Sequence, residues 1–385
     1  MDYSISKELE LLRKTVREFC ENEVVPVVED MDREGKFPEE NIKKMAKLGL
    51  MGLPISKEYG GAGAGMLGYC IAVEEIGKVC NSHGTILGAH TSLCCMPIEM
   101  FGTEEQKQKY LVPLARGEKL GAFALTEPNA GSDAAAIETT AVREGDYYIL
   151  NGTKIWITNA DRADVIIVLT VTDKALGARG GITTLIVEKG TPGLSVGTLE
   201  DKMGIRGSST AELIFENCRV PKENVLGDVG AGFIVFMKGL DCGRLSLAAG
   251  CVGGAQACLD ASIKFAMNRI QFGKPIWEKQ AIQWMIADMA TEVYAARNMV
   301  YHAIWLKETG KRFTKESAMC KLFASEILCK AIDTALQIHG GMGYMKKFPI
   351  ERMYRDARIT RIYEGTNEIQ KLVIANMISR EMRRA

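Results

Sequence analysis

Strand-forming texture is confined to the middle third of this 385-residue chain, and that confinement limits the possible folds more than any other feature. Between about Leu120 and Leu226 lie DYYILNGTKIWITNA, ADVIIVLTVTD, GITTLIVEKG, GLSVGTLED and AELIFENCRV, all short, β-branched and bounded by Gly, Asn, Asp or Pro. Such runs read as strands joined by turns. Before them, apolar residues recur at three and four: Leu9, Leu12, Val16, Phe19 and Cys20, then Ile42, Met45 and Leu48. After about Gly230 that helical period returns in longer runs, GGAQACLDASIKFAMNR, QAIQWMIADMATEVYAARNMVYHAIWLKETG and KESAMCKLFASEILCKAIDTALQIHG, which suit a bundle. Alternating strand–helix units would spread the strands along the chain. A separate β domain between two helical ones is therefore expected. This is an α+β architecture with an N-terminal helical domain at 1–117, a middle β domain at 118–228 and a C-terminal helical bundle at 229–385.

Charge and patterning remove several function classes. Lysine plus arginine equals aspartate plus glutamate at 48 each, with no basic stripe, so no nucleic-acid partner is expected. No apolar run approaches the roughly 18 residues needed for a membrane span. The opening MDYSISKELELLRKTVREF is charged and helix-like and lacks the layout of a secretory signal. Eleven scattered cysteines without a C-x-x-C pair fit reduced thiols and a cytoplasmic location. Four dispersed histidines (His83, His90, His302, His339) give no metal-binding spacing, and no metal is expected.

One glycine motif invites a wrong reading. Gly63-Ala-Gly65-Met-Leu-Gly68 matches G-x-G-x-x-G, but that fingerprint works only between a buried strand and a helix. The preceding PISKEYGG is no strand, so an interhelical loop is expected. The segment from Phe123 to Asp133, FALTEPNAGSD, carries more information. Pro128 and Gly131 set a turn, and Thr126, Ser132 and Asp133 supply polar groups beside exposed amides, a combination that can hold a ring edge or a phosphate. By chemistry alone, a plain surface loop fits equally well.

FALTEPNAGSD followed by KIWITN resembles the paired flavin-binding signatures of the acyl-CoA dehydrogenases. GLDCGR, NRIQFGKPI, QIHGGMGY and RIYEGTNEIQ resemble that family's further motifs, in the same order along nearly the whole chain. The resemblance implies FAD as cofactor, an acyl-CoA substrate, electron-transferring flavoprotein as electron partner and a homotetramer. It implies that Phe123, Leu125, Thr126, Gly131 and Ser132 run along the flavin, with Ser132 also facing the coenzyme A chain. Trp156, Ile157 and Thr158 would back the ring. By the same resemblance, Arg269, Phe272, Gln280, Gln337, Gly340 and Gly341 reach the FAD of a neighbouring subunit, and Thr366 and Glu368 belong to the last cofactor motif. Asp241 and Arg244 would line the pantetheine path, with Tyr363 and Gly365 also at the substrate. Ala89, His90 and Thr91 would form the floor of the acyl pocket.

The reaction so implied removes a proton and a hydride from adjacent carbons of an acyl thioester. Its base must be a carboxylate made stronger by burial. The resemblance places it at Glu364, before Gly365-Thr366; relatives with the base on an earlier helix would have it at Gly243 here, which cannot serve. Straight short, branched short and alicyclic acyl groups all remain open. By the same resemblance a dicarboxylic substrate is disfavoured, since the glutaryl type carries an arginine in the segment matching Gly84–Pro97 and none occurs here. An acyl-CoA oxidase and a non-catalytic acyl-CoA-binding protein of the same fold are the alternatives.

Overall fold

A computed structural model describes residues 5–383; the first four residues of the expected amino-terminal helix lie outside the described residues. The N-terminal helices are α1 (Lys7–Phe19), α2 (Val28–Glu34), α3 (Glu39–Lys47), α4 (Gly65–Gly77), α5 (Asn81–His90), α6 (Met96–Phe101), α7 (Glu104–Gln106) and α8 (Val112–Ala115). Ser6 caps α1, its side chain accepting from the Leu9 amide. Gly65 opens α4 and Gly68 lies inside it, where a Cβ would come 2.8 Å from that of Ala64. The G-x-G-x-x-G run is therefore a helix entry with a packing role, and no strand leads into it.

The strands are β1 (Gly121–Ala124), β2 (Thr140–Glu144), β3 (Tyr147–Thr158), β4 (Val165–Val171), β5 (Ile182–Glu188), β6 (Leu194–Leu199) and β7 (Thr210–Pro221). They form one sheet in the order β1-β4-β2-β3-β7-β6, with β5 also pairing to β4. The runs named from the sequence correspond to β3 through β7. β1 and β2 were hidden, because four and five residues flanking a loop give too short a period to read. The VIIVLTV run of β4 is apolar but for Thr170, whose hydroxyl donates to the Thr183 carbonyl, because both its faces are covered. Val165, Ile167 and Leu169 join the core shared with the helices, while Ile166 and Val168 join a second core inside the β domain.

The C-terminal part comprises α9 (Gly232–Asn268), a small hairpin of β8 (Ile270–Gln271) and β9 (Lys274–Pro275), then α10 (Gln280–Glu308), α11 (Thr314–His339), α12 (Pro349–Ala357) and α13 (Asn367–Met382). At 37 residues α9 spans about 55 Å and forms the buried axis of the bundle. Its Gly253 lets α4 approach so closely that a Cβ there would overlap the Glu74 carbonyl. The buried Glu74 side chain is met in turn by Arg297 Nε (2.9 Å) and Tyr301 Oη (3.2 Å) of α10. Both helical segments thus share one core, with the β domain docked on its side.

Candidate active site

The link between α12 and α13 is a tight turn carrying Tyr363, Glu364, Gly365 and Thr366. Glu364 takes φ +56° and Gly365 φ +89°. The left-handed backbone costs a glutamate about 1–2 kcal/mol and persists because its surroundings hold it. The Glu364 carbonyl accepts from Arg244 Nε and from Gln370 Nε2, both at 3.2 Å, and Gln370 also donates to the Gly365 carbonyl at 2.9 Å. Thr366 caps α13 by accepting from the Ile369 amide.

This turn aims the Glu364 side chain into a cavity of about 740 Å³ between the helical core and the sheet. The residue is half-buried because it faces that cavity, but Oε2 is fully buried and has no hydrogen-bond partner. Burial pushes the carboxyl up to about 7, with Arg244 and Lys321 opposing the rise. Gly243 lies directly against it: a Cβ there would overlap Glu364 Oε2. Occupation of the two alternative base positions is therefore mutually exclusive on this backbone.

Most of the expected cofactor residues converge on the same cavity. Phe123, Leu125, Thr126, Gly131 and Ser132 line one side, and Trp156, Ile157, Thr158 and Thr366 also contribute. Trp156 reaches it through a β-bulge. The β3–β7 register shifts between Lys154 and Ile157, and Ile155 leaves the ladder to donate to the Thr126 carbonyl at 2.9 Å. Trp156, at φ +57°, then stands 62% exposed while Ile157 stays in the core. A buried ion pair fastens the loop to the strand: Lys154 Nζ lies 2.7 Å from Glu127 Oε1 and 3.0 Å from the Leu125 carbonyl. Burial lowers Lys154 to about 8 despite its partner. Burial also works against the Glu127 carboxylate, but Lys154 and the amides of Glu138 and Thr139 hold it below the usual range. Glu127 is thus structural.

Flat apolar surfaces edged by the Thr126, Ser132 and Thr158 hydroxyls suit a planar heteroaromatic ring with polar edges. The donor set therefore fits a flavin. The cavity is also lined by Ala89, Leu93 and Tyr363 and by the cationic Lys202, Arg355 and Arg358. The latter group was not singled out in the sequence, because no motif carries it. Glu351 and Asp32 clamp Arg355 and hold it firmly protonated.

Four expected substrate contacts are placed otherwise. His90 is fully buried, and its Nδ1 accepts from the Gly121 amide (2.9 Å) while Nε2 donates to the Leu114 carbonyl (3.1 Å). Burial drives it down to about 4, so it is a neutral link between α5 and β1. Thr91 turns its hydroxyl to the Met51 carbonyl at 2.8 Å. His90 faces away from the cavity because the α5 residues that line it, Asn81, Gly84, Thr85, Gly88 and Ala89, lie on the opposite side of the helix, and Thr91, just past the end of α5, is held by its bond to Met51 and does not line the cavity. Asp241 and Arg244 are likewise buried behind the Glu364 turn and do not line the cavity. Arg244 pairs with Asp241 (3.3 Å), whose other oxygen accepts from Thr314 Oγ1 (2.7 Å).

A last group stays apart from the cavity. Arg269, Phe272, Gln280, Gln337, Gly340, Gly341 and Glu368 are exposed and outside its lining, and Phe272 is 92% exposed at φ +52°. Among the described residues no helix is long and apolar enough to cross a membrane.

Sequence profiles of the acyl-CoA dehydrogenase N-terminal, middle and C-terminal domains match residues 6–118, 122–218 and 230–379. The chain is 51% identical over 380 residues to a short-chain specific acyl-CoA dehydrogenase of Clostridium acetobutylicum, covering 99% of this chain and all of that protein. It is 53% identical to an acryloyl-CoA reductase (NADH) of Anaerotignum propionicum, covering 98% and 96%. The butyryl-CoA dehydrogenase of Megasphaera elsdenii superimposes with a TM-score of 0.96 at 44% identity, covering 98% of this chain and all of that one. With its three domains matched in order and its cavity built as a flavin requires, the chain belongs to the acyl-CoA dehydrogenase family of FAD-dependent oxidoreductases.

Proposed function

We propose that the protein interconverts a short-chain acyl-CoA and its 2-enoyl-CoA, with Glu364 as the base that takes the α-proton. FAD, when bound, supplies the acceptor for the β-hydride. The observation that carries this reading is the buried, unpartnered Glu364 Oε2 in the cavity that also holds the flavin-type walls. A carboxylate without a hydrogen-bond donor is a stronger base, and a substrate C–H is the partner it lacks. Ser132, Tyr363, Gly365, Ala89 and Leu93 line the same cavity, and the first three are proposed to meet the acyl thioester and the last two its tail. Likeness to relatives named for short-chain and butyryl substrates supports a short acyl group. Electron-transferring flavoprotein is the proposed acceptor of the electrons. The exposed group around Phe272 and Gly341 is proposed to complete the FAD site of a second copy in a homotetramer.

A panel of acyl-CoA thioesters added to the yellow protein tests this directly. Butyryl-CoA is expected to bleach the flavin fastest, and Glu364→Gln to bind without bleaching, a loss of about 10²–10⁴-fold or more. Near-native bleaching by the Gln variant would move the base elsewhere. A second reading runs the same chemistry toward reduction, favoured by the acryloyl-CoA reductase relative and by a carboxyl near 7, which is both acid and base at neutral pH. Oxidation of NADH in the presence of electron-transferring flavoprotein and an enoyl-CoA, faster than the reverse reaction, would support it.

A further inference from the structure

Helix α11 grips the turn of the base at both ends, and one of its residues is a buried cation. Glu326 Oε2 lies 2.6 Å from Arg361 Nη2, three residues before Glu364, and Glu326 Oε1 accepts from Asn367 Nδ2 at 2.7 Å, three residues after it. One turn earlier on α11, Lys321 is 0% exposed and donates from Nζ to Asn367 Oδ1 at 2.8 Å. Ser325 Oγ closes the group at 3.0 Å from Asn367 Nδ2. Among the described residues no carboxylate lies within salt-bridge distance of Lys321. An ammonium with no carboxylate in contact is expensive to bury, and packing gives no reason for one here. A methionine would fill similar space.

The surroundings narrow what that charge acts on. Arg244, Asp241, Cys242 and Cys251 of α9, Tyr69 of α4, Arg361 and Tyr363 at the turn, Glu326 of α11 and Glu368 of α13 are the other ionisable groups around Glu364 or Lys321. Burial raises both thiols (Cys242 to about 11, Cys251 to about 12) and both phenols, so all four are neutral. Arg244 already pairs with Asp241, Arg361 pairs with Glu326, and Glu368 is exposed. The remaining uncompensated charges are Lys321 and the Glu364 carboxylate.

We propose that Lys321 is a positioning residue for the base: through Asn367 it fixes the turn, and its charge is the counter-ion that keeps Glu364 ionised near neutral pH. This rests on the reading of Glu364 as base. Burial lowers Lys321 to about 8, which leaves it mostly charged where Glu364 loses its proton.

The test is the pH profile of flavin bleaching by butyryl-CoA in Lys321→Met and in Lys321→Gln, which keeps a donor for Asn367 without the charge. Both neutral variants are expected to move the ascending limb upward by about one pH unit, the size of a lost neighbouring charge. Bleaching at pH 6.5 then falls roughly tenfold, a loss that fades by about pH 9. Lys321→Arg should return the limb to its native position. A second readout needs no turnover. The pH dependence of the stability difference between each background and its Glu364→Gln counterpart reports the Glu364 proton directly, and it should shift by the same unit. Failure of the base assignment would show as activity in Glu364→Gln, with this stability shift intact. An equal rate loss at every pH with an unmoved stability difference, in either neutral variant, overturns the proposal.

Discussion

Replacing Glu364 by Gln should stabilise the protein, and by an amount that depends on pH. In the unfolded chain a glutamate titrates near 4.5, whereas in the fold burial raises Glu364 to about 7. Below the lower value the carboxyl is protonated in both states and contributes no difference. Between the two, the folded protein keeps a proton that the unfolded chain has released, so stability falls as pH rises. Above the upper value the full penalty of a buried, partnerless carboxylate remains. Two and a half units at 1.36 kcal/mol each come to about 3 kcal/mol, a large share of the roughly 5–15 kcal/mol that holds a typical domain together. Glutamine does not titrate and has nearly the same shape. Any cost of its amide in that site is the same at every pH and cancels from the slope. Urea unfolding of both proteins, at one protein concentration and with saturating FAD, should give a stability difference that climbs by about 3 kcal/mol from pH 4.5 to pH 8, most of it before pH 7. A difference that stays flat would mean that the carboxylate is solvated, and the argument for a burial-strengthened base would fall with it.

Gly243→Ala should displace the Glu364 carboxyl, the proposed base, since the added methyl overlaps Glu364 Oε2 and Leu93 Cδ2. A shift near 1 Å is expected to slow flavin bleaching by about 10²-fold with FAD retained; a native rate would show that the turn yields freely. Lys154→Met leaves Glu127 charged, buried and unpaired, and should cost about 3–5 kcal/mol in denaturant unfolding, with much of it recovered by adding Glu127→Gln. A loss under 1 kcal/mol would mean that water reaches the pair.

What the sequence by itself determined is the plan of the molecule and which segments were candidates for the site. Helical period, strand texture and helical period again divide the chain, because burial on one face leaves its periodicity in the residues whatever the partner surface is. FALTEPNAGSD, KIWITN and IYEGT were singled out by their family resemblance, since by chemistry alone the first fits a surface loop equally well, and residues of all three line one cavity in the fold. Tertiary structure alone decided where those side chains point. Nothing in KIWIT announces the bulge that exposes Trp156 while burying Ile157, since the extra residue is defined only against β7. His90 and Ala89 are neighbours in sequence, yet one bonds to Gly121 and Leu114 and the other faces the cavity, because a helix turns about 100° per residue and only its packing fixes the phase. The raised proton affinity of Glu364 was equally invisible, since desolvation, Arg244 and Lys321 reach it from the turn, α9 and α11, segments separated by more than forty residues of chain. Local order in a chain records what each segment must be, and the electrostatics of a buried group depend on which distant segments exclude the water around it.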